Sequence, residues 1–229
     1  MTHARTWPAG RLALTLVTAL AAALAALALS GGQGAQAHGL AHDTSTAART
    51  SSEVALYQGL RSLWEDHVSW TRLAIISLTT GSPDTKATVA RLLRNQADIG
   101  NAVKPFYGDA AGNELTRLLR QHILVAADLI AAAKAGNKAK LASEQAAWQR
   151  NADAIAGFLH DANPDSWKLG EMKSMLRTHL ALTTQEVVAR LQGRWTLDVR
   201  VYDAIVKQAL GMADMLSEGI VQQFPARFA

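Results

Sequence analysis

The sequence predicts an all-α fold, an up-and-down bundle of six helices arranged as three repeated helical hairpins. Three observations predict it. Apolar residues recur at helical spacing through most of residues 51–229, with almost no strand-like alternation. Pro83, Pro105, Pro164 and Pro225 fall between the periodic stretches, where helices stop or start. A His-to-Gly interval of 14 residues occurs three times, at His67–Gly81, His122–Gly136 and His179–Gly193, and a fixed internal period of this kind points to a repeated supersecondary unit.

The first helix has a start signal at Thr50-Ser51-Ser52-Glu53, the spacing at which a hydroxyl and a carboxylate satisfy first-turn amides reciprocally. Leu56, Leu60, Leu63, Trp64, His67, Val68, Thr71, Ile75 and Leu78 then recur on one face. Gly81 can end this helix in a left-handed conformation. Ser82-Pro83 can open the second helix, which is expected to run to about Lys104 and stop at Pro105. The third runs from about 109 to 135 and ends at Gly136. Asn137 caps the fourth, which ends before Pro164. Asp165 or Ser166 starts the fifth, ending near Gly193, and the sixth runs from about Thr196 to Gln222.

Offsets counted from each histidine agree between the three stretches. Position −3 is Trp64, Leu119 and Leu176; position +4 is Thr71, Ala126 and Thr183; position +8 is Ile75, Ile130 and Val187. These offsets share one helical face, so each histidine is expected inside an apolar stripe, and the three are expected at one depth of the bundle. Past each glycine an Ala-Asp pair recurs. Asp98 and Asp153 each stand 31 residues after their histidine, and Asp214 stands 35 after His179. Gln96 and Asn151 lie two residues before the first two aspartates. Glu186 lies on the core-facing stripe of the fifth helix, with Arg190 one turn on as a salt-bridge partner.

Two readings account for such a layer, since a buried polar group without a partner costs about 1–3 kcal/mol. In one, His67, His122 and His179 hold a transition metal, with Asp98, Asp153, Asp214 and Glu186 as candidate carboxylates. Imidazole with oxygen donors suits zinc, copper or iron. In the other, each histidine bonds within its own hairpin and the layer only fixes helix register. Trp64, Trp148 and Trp195 are expected in the core, and Trp70 and Trp167 nearer the surface.

Residues 1–37 have the form of an export signal: a start carrying Arg5 and Arg11, an apolar run over 12–30, and Ala35-Gln36-Ala37 as the exit. Residues 38–50 read as a flexible leader and 51–229 as the bundle. Cleavage after Ala37 would leave 192 residues with 21 basic and 19 acidic side chains, about +2 overall. No basic run suits a phosphate backbone, so nucleic acid is not an expected partner, and no membrane contact is expected once the signal is removed. The absence of cysteine excludes disulfides, thiol nucleophiles and a lipid anchor on cysteine. No GxSxG, P-loop or strand-borne GxGxxG occurs, and the Glu-x-x-His tetrad of di-iron bundles is missing, so nothing supports a catalytic class.

LWEDHVSWTR, NQADIGNAVKPFYG and the closing GIVQQFP resemble a group of small exported helical proteins of Gram-positive bacteria, over about residues 55–228. The resemblance implies secretion and an all-helical domain and carries no catalytic residue over. The expectation is therefore a secreted or cell-envelope, non-enzymatic bundle that binds a transition metal through a His/Asp layer, or a structural or partner-binding module whose polar layer is purely structural.

Overall fold

The computed structural model describes residues 48–229. The expected signal peptide (1–37), and the expected leader up to residue 47, lie outside the described residues. Those described are all-helical, with no strand: α1 (Ser51–Thr80), α2 (Thr85–Ala135), α3 (Lys138–Ala162), α4 (Leu169–Leu191), α5 (Trp195–Gln223) and a closing 3-10 turn, Pro225–Arg227. The start signal at Thr50 is a true capping box, with both reciprocal bonds to Glu53 made. Asn137 caps α3 by accepting from Lys140 N at 3.0 Å. Gly81, Gly136 and Gly193 all adopt positive φ, at 74°, 73° and 68°.

Five helices are present where six were expected. Pro105 does not stop the second helix, because helical structure continues through it to the end of α2, and the one interior break is Gly108 (φ 82°, ψ 169°). Gly108 bends α2 sharply enough to lay its two arms together. A Cβ built on Gly100 or on Gly112 would lie 2.5 Å from the other's carbonyl oxygen, whereas a straight helix would separate these residues by about 18 Å. Arg120 Nη1 also donates to Leu93 O at 3.1 Å across the bend. The fourth helix begins later than expected because Asn163 organises the preceding turn. Its Oδ1 accepts from Ser166 N at 3.2 Å and its carbonyl from Trp167 N at 2.9 Å.

Each helix packs on the next in sequence, and α1 packs on α5, which closes the bundle. The main core includes Leu60, Trp64, Ile99, Leu115, Trp148 and Ile220. Ile75, Ile130 and Val187, the three residues at position +8, form a buried cluster of their own. Two tryptophan expectations are reversed. Trp195 is 59% exposed at the start of α5, with Arg190 above its ring. Trp167 is buried, because Gly219 leaves space for it; a Cβ there would meet Trp167 Nε1 at 2.1 Å. Among the described residues no helix is long and apolar enough to cross a membrane.

Candidate functional site

His67 of α1, His122 of α2 and His179 of α4 are all buried and line one cavity. His179 is common to two close ring pairs, with centroids 6.0 Å from His67 and 6.2 Å from His122. Burial, first, lowers all three pKa values, and for His67 and His122 neighbouring imidazoles push further in the same direction, taking those two down to about 3. The rings are therefore neutral at neutral pH, each with one N–H and one bare nitrogen.

Every Nδ1 is held by a side-chain amide 29 residues further along the chain. His122 Nδ1 donates to Asn151 Oδ1 at 2.8 Å, and His179 Nδ1 donates to Gln208 Oε1 at 3.0 Å. At His67 the amide is turned the other way, and Gln96 Nε2 donates to Nδ1 at 3.2 Å. The amides also reach back to the carbonyl four residues before the histidine. Asn151 Nδ2 donates to Leu118 O at 3.1 Å and Gln208 Nε2 to Met175 O at 3.3 Å. In the first hairpin the two tasks are split: Asn95 Nδ2 donates to Leu63 O at 3.0 Å while its neighbour Gln96 holds the ring. Each clasp thus joins a ring and a helix carbonyl of one strand of the hairpin to a single turn of the next.

The expected carboxylates stand elsewhere. Asp98 is exposed. Asp153 lies 3.8 Å from Arg177, and Asp214 accepts Arg61 Nε and Nη2 at 2.6 and 2.5 Å. The reason is angular: Asp98 and Asp153, two positions past the clasping amide, are rotated from it by about 200° around their helices, and Asp214, six positions past Gln208, by about 240°. Glu186 is buried but belongs to a separate ionic cluster. Arg72 Nη1 reaches Glu186 Oε1 at 2.7 Å and Asp198 Oδ1 at 3.0 Å, and Arg190 Nη1 reaches Asp198 Oδ2 at 2.7 Å. Arg190 therefore bonds Asp198, on α5, rather than Glu186, one turn before it on the same helix. Burial, partly offset by Arg72, raises Glu186 to about 7.

Among the described residues no group of three or more His, Cys, Asp or Glu side chains is placed to hold a metal ion. The cavity between the rings is lined otherwise by apolar side chains, by Gln96 and by Met212. Gln208 went unnoticed in the sequence, although the constant interval of 29 residues to an amide side chain was there to be read. Asp198, 126 residues from Arg72, left no local signal. No protein-family model, curated protein or solved structure matches the chain.

Proposed function

We propose that this chain is an exported, non-enzymatic helical-bundle binding module whose polar layer forms without a ligand. The observation that carries the reading is the threefold clasp, His67 with Gln96, His122 with Asn151 and His179 with Gln208, at one spacing. The amides of Asn95, Gln96, Asn151 and Gln208, spent on imidazole Nδ1 and helix carbonyls, fix hairpin register, which favours a structural role for that side of the rings. The shared spacing supports descent of the clasps from one duplicated hairpin, and the export pattern of residues 1–37 supports an extracytoplasmic location. With the carboxylates paired to arginine or facing solvent, the layer offers no carboxylate and no charged nucleophile.

The test is the folding of metal-free protein. Residues 38–229, stripped with chelators, are expected to give the same helical circular dichroism and the same cooperative melt as untreated protein, and each of Gln96→Leu, Asn151→Leu and Gln208→Leu is expected to lower the melting temperature. Loss of the melt on stripping would overturn the reading. Mass spectrometry of the secreted amino terminus, expected at His38, tests export.

A further inference from the structure

The clasps leave the other ring nitrogens free. Among the described residues none of the three histidines makes a hydrogen bond through Nε2; every recorded contact is at Nδ1. Because His122 and His179 donate from Nδ1, their Nε2 atoms carry the bare lone pair. A ligand-binding imidazole is normally oriented in this way, with its other N–H given to an oxygen acceptor. Met212, one helical turn beyond Gln208, lines the same cavity, and its Sδ accepts from Gln208 Nε2 at 3.0 Å. His67, whose Nδ1 accepts from Gln96, carries its proton on Nε2, so the donors around this space are the Nε2 lone pairs of His122 and His179 and the Met212 sulfur, with no carboxylate.

We propose that this cavity is a binding site for one soft monovalent metal ion, cuprous copper or silver, held by Nε2 of His122 and of His179 with the Met212 sulfur alongside. Charge is the first argument. The donors are neutral, so the buried site would carry the full charge of its guest, and the cost of burying a charge rises with its square. A divalent ion without an anionic partner is therefore strongly disfavoured relative to a monovalent one. Softness is the second, since thioether donors select Cu(I) over zinc or iron. Ring spacing is the third. With a metal–nitrogen bond of about 2 Å, two imidazoles on opposite sides of an ion have centres roughly 6 Å apart, and two on a tetrahedral ion about 5 Å. The 6.2 Å between the His122 and His179 ring centroids is compatible with the wide angle that two-coordinate Cu(I) and Ag(I) adopt.

The experiment titrates Ag(I), a redox-inert probe, into metal-free residues 38–229 in chloride-free buffer, and repeats it with Cu(I) under ascorbate and with Zn(II). The proposal expects one Ag(I) per chain, shifts of the 15N resonance of Nε2 in His122 and His179, a shift of the Met212 methyl, and Zn(II) binding weaker by at least about 100-fold. Met212→Leu, which keeps volume, is expected to weaken Ag(I) by about tenfold or more, and His179→Gln to abolish uptake. Should His179→Gln fail to fold, the resonance shifts of the unaltered protein decide. Unmoved Nε2 resonances, equal affinity for Zn(II), or undiminished uptake by Met212→Leu would overturn the proposal. It rests on the ligand-independent layer proposed above, and the two fail differently: an unfolded metal-free protein sinks that reading, whereas a folded one indifferent to Ag(I) sinks only this.

Discussion

Asn151 serves His122 twice, accepting from the ring Nδ1 at 2.8 Å through its oxygen and donating to the Leu118 carbonyl, one turn before the ring, through its nitrogen. Both contacts are buried. Replacing Asn151 by Ala would leave the ring N–H of His122 unpaired, remove the second bond to the Leu118 carbonyl and open a void. With an unpaired buried group at about 1–3 kcal/mol and the void added, the expected loss is roughly 3 kcal/mol, read as a lower urea midpoint with unchanged slope. Combining Asn151→Ala with His122→Ala should cost less than the two single changes added, since they share one bond.

The clasps show how far the sequence could be read. The shared depth of the three histidines follows from position −3 and +8 residues that recur with them, and Ile75, Ile130 and Val187 do meet in one cluster. The capping box and the left-handed glycines follow from local chemistry, which a sequence displays directly. Partner choice across a hairpin does not, because a shift of two residues turns a side chain from the core to solvent; that shift separates Asn151 from Asp153. Asp214, aligned through the recurring Ala-Asp pair, concealed Gln208. Arg72, Glu186 and Asp198 come from three helices brought together only by the closed bundle, and no periodicity announces such a meeting. Pro105 looked like a terminator, but the reversal depends on Gly108 and on the Gly100–Gly112 approach.

Acid should weaken the fold. The three histidines have folded pKa values below the ordinary 6.5, so the unfolded chain binds protons that the folded chain refuses. Their contribution is complete above 6.5 and falls as pH drops, by about 1.4 kcal/mol per pH unit for each ring. Glu186 acts in the opposite sense. Raised from 4.5 to about 7, it contributes most below 4.5 and loses that contribution as pH rises through 7. Three groups outweigh one, and a net loss of stability is expected between pH 7 and pH 5. Urea titrations at the two pH values check this; equal midpoints would contradict neutral buried rings.

Asp198 is the hub of the ionic cluster, pairing with both Arg72 and Arg190. Asp198→Asn would remove the shared anion from two largely buried guanidinium groups, and breaking a buried pair from one side costs about 3–5 kcal/mol. Glu186→Gln removes a group already near its titration point at neutral pH and leaves Arg72 paired with Asp198. Its effect is expected to be smaller at pH 7, and smaller again at pH 6. Thermal melts of the two variants should therefore rank Asp198→Asn well below Glu186→Gln.

Three glycines make opposing predictions for the same substitution. Gly59 lies exposed in α1 with nothing within 4 Å of an added Cβ. Gly59→Ala should therefore stabilise, by up to about 1 kcal/mol of helix propensity. At Gly100 the added methyl would meet the Gly112 carbonyl oxygen at 2.5 Å and Thr116 Oγ1 at 2.0 Å. A backbone atom cannot swing aside, so the two arms of α2 would have to part, at a cost of about 1–3 kcal/mol or more. Gly219→Ala would push into the indole of Trp167 at 2.1 Å. Trp167 is held by the turn that starts at Asn163, whose Nδ2 also donates to Gly219 O at 2.8 Å, so displacing the ring strains that bond as well. Melting temperatures should rise for Gly59→Ala and fall for the other two. A stabilised Gly100→Ala variant would contradict the close approach of the two arms of α2.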